Sequence, residues 1–153
     1  MVRFEELNTE TVQQYRNEIA QFYYGNMQTC SCLEHYTFDQ AYEKIGDLIA
    51  HLTTNTCIAY GAFEGKEIIG YIWAYQHQFR EELRMYINEC SVKDGYRSRG
   101  IGKTLITLIE KRAKDLGLPA LYLHAEADSS DAVRFYRSNG YREERIQFRK
   151  EIM

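Results

Sequence analysis

Between Cys57 and Val92 the chain carries three successive runs of β-branched, aromatic and small apolar residues, and this block constrains the fold more than any other feature. Cys57–Phe63 and Ile68–Tyr75 are separated by Glu64-Gly65-Lys66, whose glycine supplies the backbone freedom of a tight turn. The two runs therefore predict an antiparallel hairpin. Met85–Val92 alternates well enough to form a third strand, with the polar stretch Gln76–Arg84 read as its connection. Adjacent strands of this composition need apolar cover, and the flanking sequence supplies it on both sides.

Upstream, Val2–Leu7 reads as a short strand, after which Val12, Tyr15, Ile19 and Phe22 recur at helical spacing and predict one amphipathic helix. A second helix is better marked. Thr37 can cap it with Gln40 in the capping-box position, and Phe38, Ala41, Tyr42, Ile45, Leu48, Ile49 and Leu52 form one apolar stripe. Downstream, Leu105, Leu108, Ile109, Ala113 and Leu116 share a helical face that stops at Gly117, with Pro119 beyond. Leu121–Ala127 then predicts a strand. Ser129 or Ser130 can cap a short helix carrying Ala132, Val133, Phe135 and Tyr136, ended by Asn139-Gly140, and Tyr141–Ile152 is strand-like. The order predicts an α+β domain with a mixed, mostly antiparallel sheet flanked by helices.

Nothing divides the 153 residues, since there is one proline, no low-complexity linker and no internal repeat. The net charge of −3, with both signs dispersed, gives no basic footprint for nucleic acid or an anionic membrane. No stretch approaches the roughly 20 apolar residues of a membrane span, and Met1-Val-Arg-Phe-Glu-Glu lacks signal-peptide order, so a cytoplasmic protein is expected. Cys30, Cys32, Cys57 and Cys90 are too scattered for a disulfide framework and read as reduced thiols. Cys30 and Cys32 lack the second ligand pair that a zinc site needs, so no metal is expected.

The chemistry concentrates in Ser91–Thr104, where a strand runs through Gly95 and Arg97-Ser98-Arg99-Gly100 into the helix beginning Ile101-Gly102-Lys103-Thr104. A helix N-terminus presents unpaired N–H groups and roughly +0.5 charge, which suits phosphate oxygens. Gly100 and Gly102 admit close backbone approach, and Arg97, Arg99 and Lys103 add positive charge. A P-loop would need glycine at Arg97 and a dinucleotide fingerprint would need it at Leu105, so both readings fail.

Arg97-Ser-Arg-Gly100-Ile-Gly102 resembles instead the R/Q-x-x-G-x-G/A signature of the GNAT superfamily of N-acetyltransferases. Asp131-Ala-Val-Arg-Phe-Tyr-Arg-Ser-Asn-Gly-Tyr141 is similar to that family's late helix and turn. The resemblance implies a single domain over 1–153, with acceptor-shaping helices in 9–53 and an acetyl-coenzyme A core in 57–153. It implies that the loop, Arg97 to Thr104, holds the pyrophosphate and that the strand backbone at Glu89, Cys90, Ser91 and Val92 holds the pantetheine and polarises the thioester carbonyl. Ser129 stands where the family often has an asparagine that reaches the pantetheine arm.

The reaction so implied moves an acetyl group from acetyl-coenzyme A to a primary amine of a small molecule or peptide. A homodimer is compatible with the family, and a non-catalytic coenzyme A sensor is the alternative reading. Tyr136 aligns with the tyrosine that faces the departing thiolate. Full transfer of its proton is uphill by roughly 2 kcal/mol, so hydrogen bonding to the sulfur is as credible as transfer. An ammonium acceptor must lose a proton before it attacks, and Glu89 is the candidate base. Asn88 occupies the slot where several amine-specific relatives carry the acid, and a shift of one residue turns a side chain to the other face. Cys90 as a covalent nucleophile lacks an evident partner histidine, and His124 and Glu126 read as groups on a half-exposed strand face.

Overall fold

The computed structural model describes residues 1–29 and 35–153, so the Cys30/Cys32 pair lies outside the described residues. Its elements are β1 (Val2–Glu6), α1 (Thr9–Gln14), α2 (Arg16–Gln28), α3 (Phe38–Thr53), β2 (Ile58–Glu64), β3 (Glu67–Phe79), β4 (Glu82–Val92), α4 (Ile101–Asp115), β5 (Leu121–Tyr122) and α5 (Ser130–Ser138). The five strands form one sheet in chain order, antiparallel from β1 to β4 and parallel between β4 and β5. The side chains of β3 divide between the two faces, with their period-two alternation interrupted by a bulge at Ile69. Tyr71 and Trp73 pack with Val12, Ile19 and Leu48 of α1–α3, whereas Ile69, Ile72 and Ala74 pack with Leu105, Ile106 and Ile109 of α4. Fully burying each aliphatic side chain is worth about 1.5–3 kcal/mol, so the two half-cores together press the helices onto the sheet.

Thr37 caps α3 as its sequence requires: its hydroxyl accepts from the Gln40 N–H at 3.1 Å and the Gln40 side chain accepts from the Thr37 N–H at 2.8 Å. The Glu64–Glu67 turn, Gly65 at φ 62°, closes the β2–β3 hairpin. Gly117 (φ 73°) and Gly140 (φ 90°) end α4 and α5 in the left-handed region.

Four expectations are corrected. The single first helix is two helices meeting at Tyr15 (φ −103°, ψ 17°). The Tyr15 ring lies edge-on to Phe63 at 5.4 Å and its hydroxyl donates to the Lys66 carbonyl at 2.8 Å, so tertiary contacts hold this residue off helical geometry. The polar stretch Gln76–Arg84 is mostly ladder, with His77 opposite Arg84, Phe79 opposite Glu82, and a turn at Arg80-Glu81. Gln76 and Gln78 are exposed residues of a twisted ribbon and not of a loop.

The strand expected over Leu121–Ala127 contains only Leu121 and Tyr122, paired with Met85 and Tyr86. Beyond that point the two strands part, because β4 bulges at Asn88. The tail 141–153 forms no strand. It is tied by side chains, Glu144 accepting from Arg84 at 2.6 and 2.9 Å and Arg145 lying over Phe79 at 4.6 Å. Phe148 remains 88% exposed, so the alternating pattern there has no face to bury.

Thr37→Ala removes the hydroxyl half of the capping box. It should lower unfolding stability by about 1 kcal/mol in urea titration with an unchanged m-value.

Candidate active site

Residues 86 and 75 face one another across β3 and β4, as do 87 and 74, but Trp73 faces Glu89, leaving Asn88 as the extra residue of a bulge. The bulge restores Glu89 and Ser91 to the α2 side of the sheet, the side carrying Tyr71, Trp73 and Tyr75. Cys90 and Val92 fall on the α4 side. Of the two candidates Asn88 and Glu89, it is Glu89 that stands opposite Trp73. Gly70 lets the strands approach closely here, since a Cβ on it would stand 2.9 Å from the Ser91 carbonyl oxygen.

Glu89 is half-buried, and α2 reaches down to it. Asn26 Nδ2 donates to Glu89 Oε1 at 2.6 Å and to Ser91 Oγ at 2.5 Å, and Ser91 Oγ lies 3.2 Å from the same carboxylate oxygen. Burial pushes the Glu89 pKa from 4.5 up to about 7; the Asn26 and Ser91 hydrogen bonds and the Cys90 backbone N–H pull the other way without cancelling it. A carboxyl poised near neutrality can both take and release a proton at physiological pH. Asn26 was invisible to the sequence reading, because nothing local links a helix residue to a strand residue 63 positions away.

Tyr136, on α5, feels the charges of Cys90 and Glu89, and its ring lies edge-on to Phe135 at 5.2 Å and Tyr141 at 5.7 Å. Burial first, and those neighbours second, raise its pKa well above the usual tyrosine range, so it stays a hydrogen-bond donor at all physiological pH. Burial likewise pushes the Cys90 thiol up to about 12, with Glu89 adding to the shift. At neutral pH the thiol is protonated, a poor nucleophile. His124 cannot serve as its base, for its Nδ1 lies 3.4 Å from Tyr86 Oη, on the opposite side of the sheet from Cys90.

The loop after β4 ends in Gly100, left-handed at φ 79°, which is the N-cap of the 15-residue α4 and can offer no side-chain cap. No acidic residue occupies the first turn, so the N–H groups and dipole of Ile101, Gly102 and Lys103 meet no neutralising carboxylate there. Ser98 also adopts positive φ, 63°. Arg97 is 3.4 Å from Asp94 and its Nε donates to the Val92 carbonyl at 3.3 Å, while Arg99 lies over the Tyr96 ring at 5.0 Å. Thr104 Oγ1 donates to the Gly100 carbonyl at 3.0 Å, and the Ile101 side chain is buried.

Gly102 has a packing role that spacing did not reveal, because a Cβ on it would press to 3.2 Å from the Phe135 ring and to 3.7 Å from Val92. It therefore sets how closely α5, and with it Tyr136, approaches α4. Ser129 is the N-cap residue of α5, but its hydroxyl makes no cap hydrogen bond. His124 and Glu126 are exposed and follow β5 in irregular backbone.

The short parallel pairing of β4 with β5, the bulge in β4 and the α4 N-terminus without a side-chain cap are the features of this region. The sequence profile of the acetyltransferase (GNAT) family matches residues 12–141, and the chain belongs to that family. Among curated relatives, an uncharacterized N-acetyltransferase, YdgE, of Bacillus subtilis is 27% identical over 86 residues, 56% of this chain and 55% of that protein. A mycothiol acetyltransferase of Streptomyces scabiei is 31% identical over 80 residues, 52% of this chain and 25% of that protein. The match thus spans about half the length of the first relative and a quarter of the second. Among solved structures, the aminoglycoside N-acetyltransferase AAC(6')-Iy in complex with CoA superposes with a TM-score of 0.76 at 16% identity, covering 100% of this chain and 96% of that one. A PaiA N-acetyltransferase of Thermoplasma acidophilum in complex with coenzyme A gives 0.75 at 20%, covering 96% and 93%. At these identities the structural likeness speaks for the fold.

Asn26→Ala should raise the Glu89 pKa above about 7, because the Asn26 hydrogen bond that favours the carboxylate is lost. Carboxyl carbon chemical shifts followed by NMR across pH 5–9 check this.

Proposed function

We propose that this domain transfers the acetyl group of acetyl-coenzyme A directly to a primary amine of a small molecule or peptide. The opening between β4 and β5 carries the proposal. Past Tyr86 the β5-facing edge of β4 has no strand partner among the described residues, so its backbone N–H and C=O groups can pair with an extended amide-containing arm as another strand would. That edge leads into the uncapped N-terminus of α4, where the arm's pyrophosphate belongs. The fit is chemical as well as spatial, since Arg97, Arg99 and Lys103 surround this end and no carboxylate stands in its first turn. Two proteins that share this fold, each solved with CoA bound, support acetyl-coenzyme A as the cosubstrate.

The thioester supplies an activated acetyl group. Glu89, from the α2 side, takes the proton of the ammonium so that a neutral amine attacks the carbonyl carbon. A new C–N bond forms, the C–S bond breaks, the sulfur leaves as a thiolate, and the second proton released from the new amide nitrogen reaches that thiolate through solvent. A β4 backbone N–H between Glu89 and Val92 donates to the carbonyl oxygen as charge develops on it. Tyr136, which stays protonated, donates a hydrogen bond to the departing sulfur from the other side of the sheet. Ser129 offers its hydroxyl to the same arm. With its thiol protonated, Cys90 takes no covalent part, and direct transfer needs none.

Two measurements test this reading. The pH profile of kcat/KM with an amine acceptor should rise tenfold per unit below about pH 7 and bend there, as Glu89 must be unprotonated to act. Glu89→Gln should lose that bend and roughly 10²-fold of the rate, whereas an unaltered profile would remove Glu89 from the mechanism. In calorimetry, the Arg97→Ala/Arg99→Ala double variant should bind coenzyme A at least tenfold more weakly, about 1.4 kcal/mol, while Tyr136→Phe should bind it normally and turn over more slowly.

A further inference from the structure

The proton network around Glu89 faces a surface that the proposed transfer reaction leaves unassigned. On the α2 side of β3, Trp73, Tyr75, His77 and Phe79 follow one another at period two, and the register sets Tyr86 and Tyr122 beside them. The rings touch in series, Trp73 to Tyr75 at 5.7 Å, Tyr75 to Tyr86 at 5.4 Å and Tyr86 to Tyr122 at 4.9 Å. Helices α1–α3 cover the inner end, where Trp73 is buried, but Tyr75, Tyr86 and Tyr122 are only half-buried and His77 is exposed. His51 of α3 stacks on Tyr75 at 5.0 Å and marks the border of the cover. His77 Nδ1 and Tyr122 Oη are hydrogen-bonded at 2.5 Å, which fixes the orientation of both rings. From Tyr75 to Phe79 the strand measures about 13 Å, room for one or two rings.

Charge along this strip is uneven. Its inner end holds Glu89. No carboxylate projects from β3, β4 or β5 on this face until Glu82 at the outer end, and Glu82 is paired with Arg84 at 3.3 Å. At that outer end Arg84, 4.5 Å from the Phe79 ring, is held between Glu82 and Glu144, and the further guanidinium groups of Arg80 and Arg145 lie 5.1 and 4.6 Å from the same ring, so three arginines face two carboxylates around it. An acceptor with one ammonium satisfies this pattern by placing it at Glu89 and laying an apolar body on the rings. A second ammonium farther along would meet arginines.

We infer that the Tyr75–Tyr86–Tyr122 strip is the acceptor-binding surface and that it selects a primary monoamine with a flat aromatic body over an aliphatic polyamine. The inference rests on the proposed acetyl transfer for its setting, and it is tested by binding so that the two can fail separately. Trp73 is the single tryptophan of the chain and touches Tyr75, so its fluorescence reports occupancy of the strip. Titrating 2-phenylethylamine into the wild-type protein saturated with coenzyme A should give a saturable fluorescence change, with spermidine binding at least tenfold more weakly. Tyr122→Ala, at the sheet edge, and Tyr75→Ala should each weaken 2-phenylethylamine at least tenfold while leaving coenzyme A affinity and the far-ultraviolet circular dichroism unchanged. In thiol-release assays the same variants should raise KM with little effect on kcat. Spermidine binding as well as the aromatic amine, unchanged binding by Tyr122→Ala, or no saturable signal overturns the inference. Selective binding without thiol release from any amine would leave the strip standing and overturn the transfer reading instead. Acetylation of spermidine but not of 2-phenylethylamine would do the reverse.

Discussion

A single extra residue in β4 organises the site. The bulge at Asn88 changes the face to which every later side chain of the strand points, so Glu89 and Ser91 meet Asn26 of α2 while Cys90 and Val92 join the α4 core. It also bends β4 away from β5 after two residue pairs, Met85 with Leu121 and Tyr86 with Tyr122, and that divergence exposes strand backbone in the middle of a covered sheet. Without the bulge, Asn88 would stand opposite Trp73, and the carboxyl would be turned into the apolar layer under α4.

The rest of the architecture holds this irregular strand in place. Gly70 on β3 yields space to the Ser91 carbonyl, and Gly102 on α4 yields it to Phe135 of α5, so the two close approaches that bracket the opening both depend on a missing Cβ. Gly100 contributes differently, through a positive φ that ends the loop and starts α4 without a side-chain cap. The electrostatics follow from the packing. The same burial that keeps Tyr136 and Cys90 protonated brings Glu89 to near-neutral pKa, so one apolar setting holds two groups inert to titration and leaves the third responsive. An amine acceptor would approach from the α2 side and the thioester from the opening, meeting at a carboxyl that belongs to the first and a tyrosine that belongs to the second.

Much of this was legible in the residue order. The capping box of Thr37 and Gln40, the hairpin turn at Gly65, the apolar stripe of α4 and the stops at Gly117 and Gly140 each depend on contacts within a few positions, and the structure shows all of them. The Arg97–Thr104 loop was recognisable for the same reason, since a glycine-rich strand-to-helix turn carries its chemistry in its own backbone. Readings failed where a residue's conformation answers to a distant partner. Tyr15 breaks a helix because of Phe63 and Lys66, the glutamines of β3 look like loop until they are paired with β4, and the alternating tail finds no sheet edge.

By itself, then, the sequence determined the kinds and order of most elements and the glycine-rich turn into α4, and it named Tyr136 and Glu89 as candidates for the site. Only the tertiary structure decided which face Glu89 occupies, that Asn26 is its partner, that Gly102 spaces two helices, and that a row of aromatic rings continues from the carboxyl along the sheet. The reason is the range of the forces involved. Turn, cap and periodicity signals report interactions between chain neighbours, whereas register, bulges and buried hydrogen bonds are settled by the competition of whole strands and helices for one shared interior.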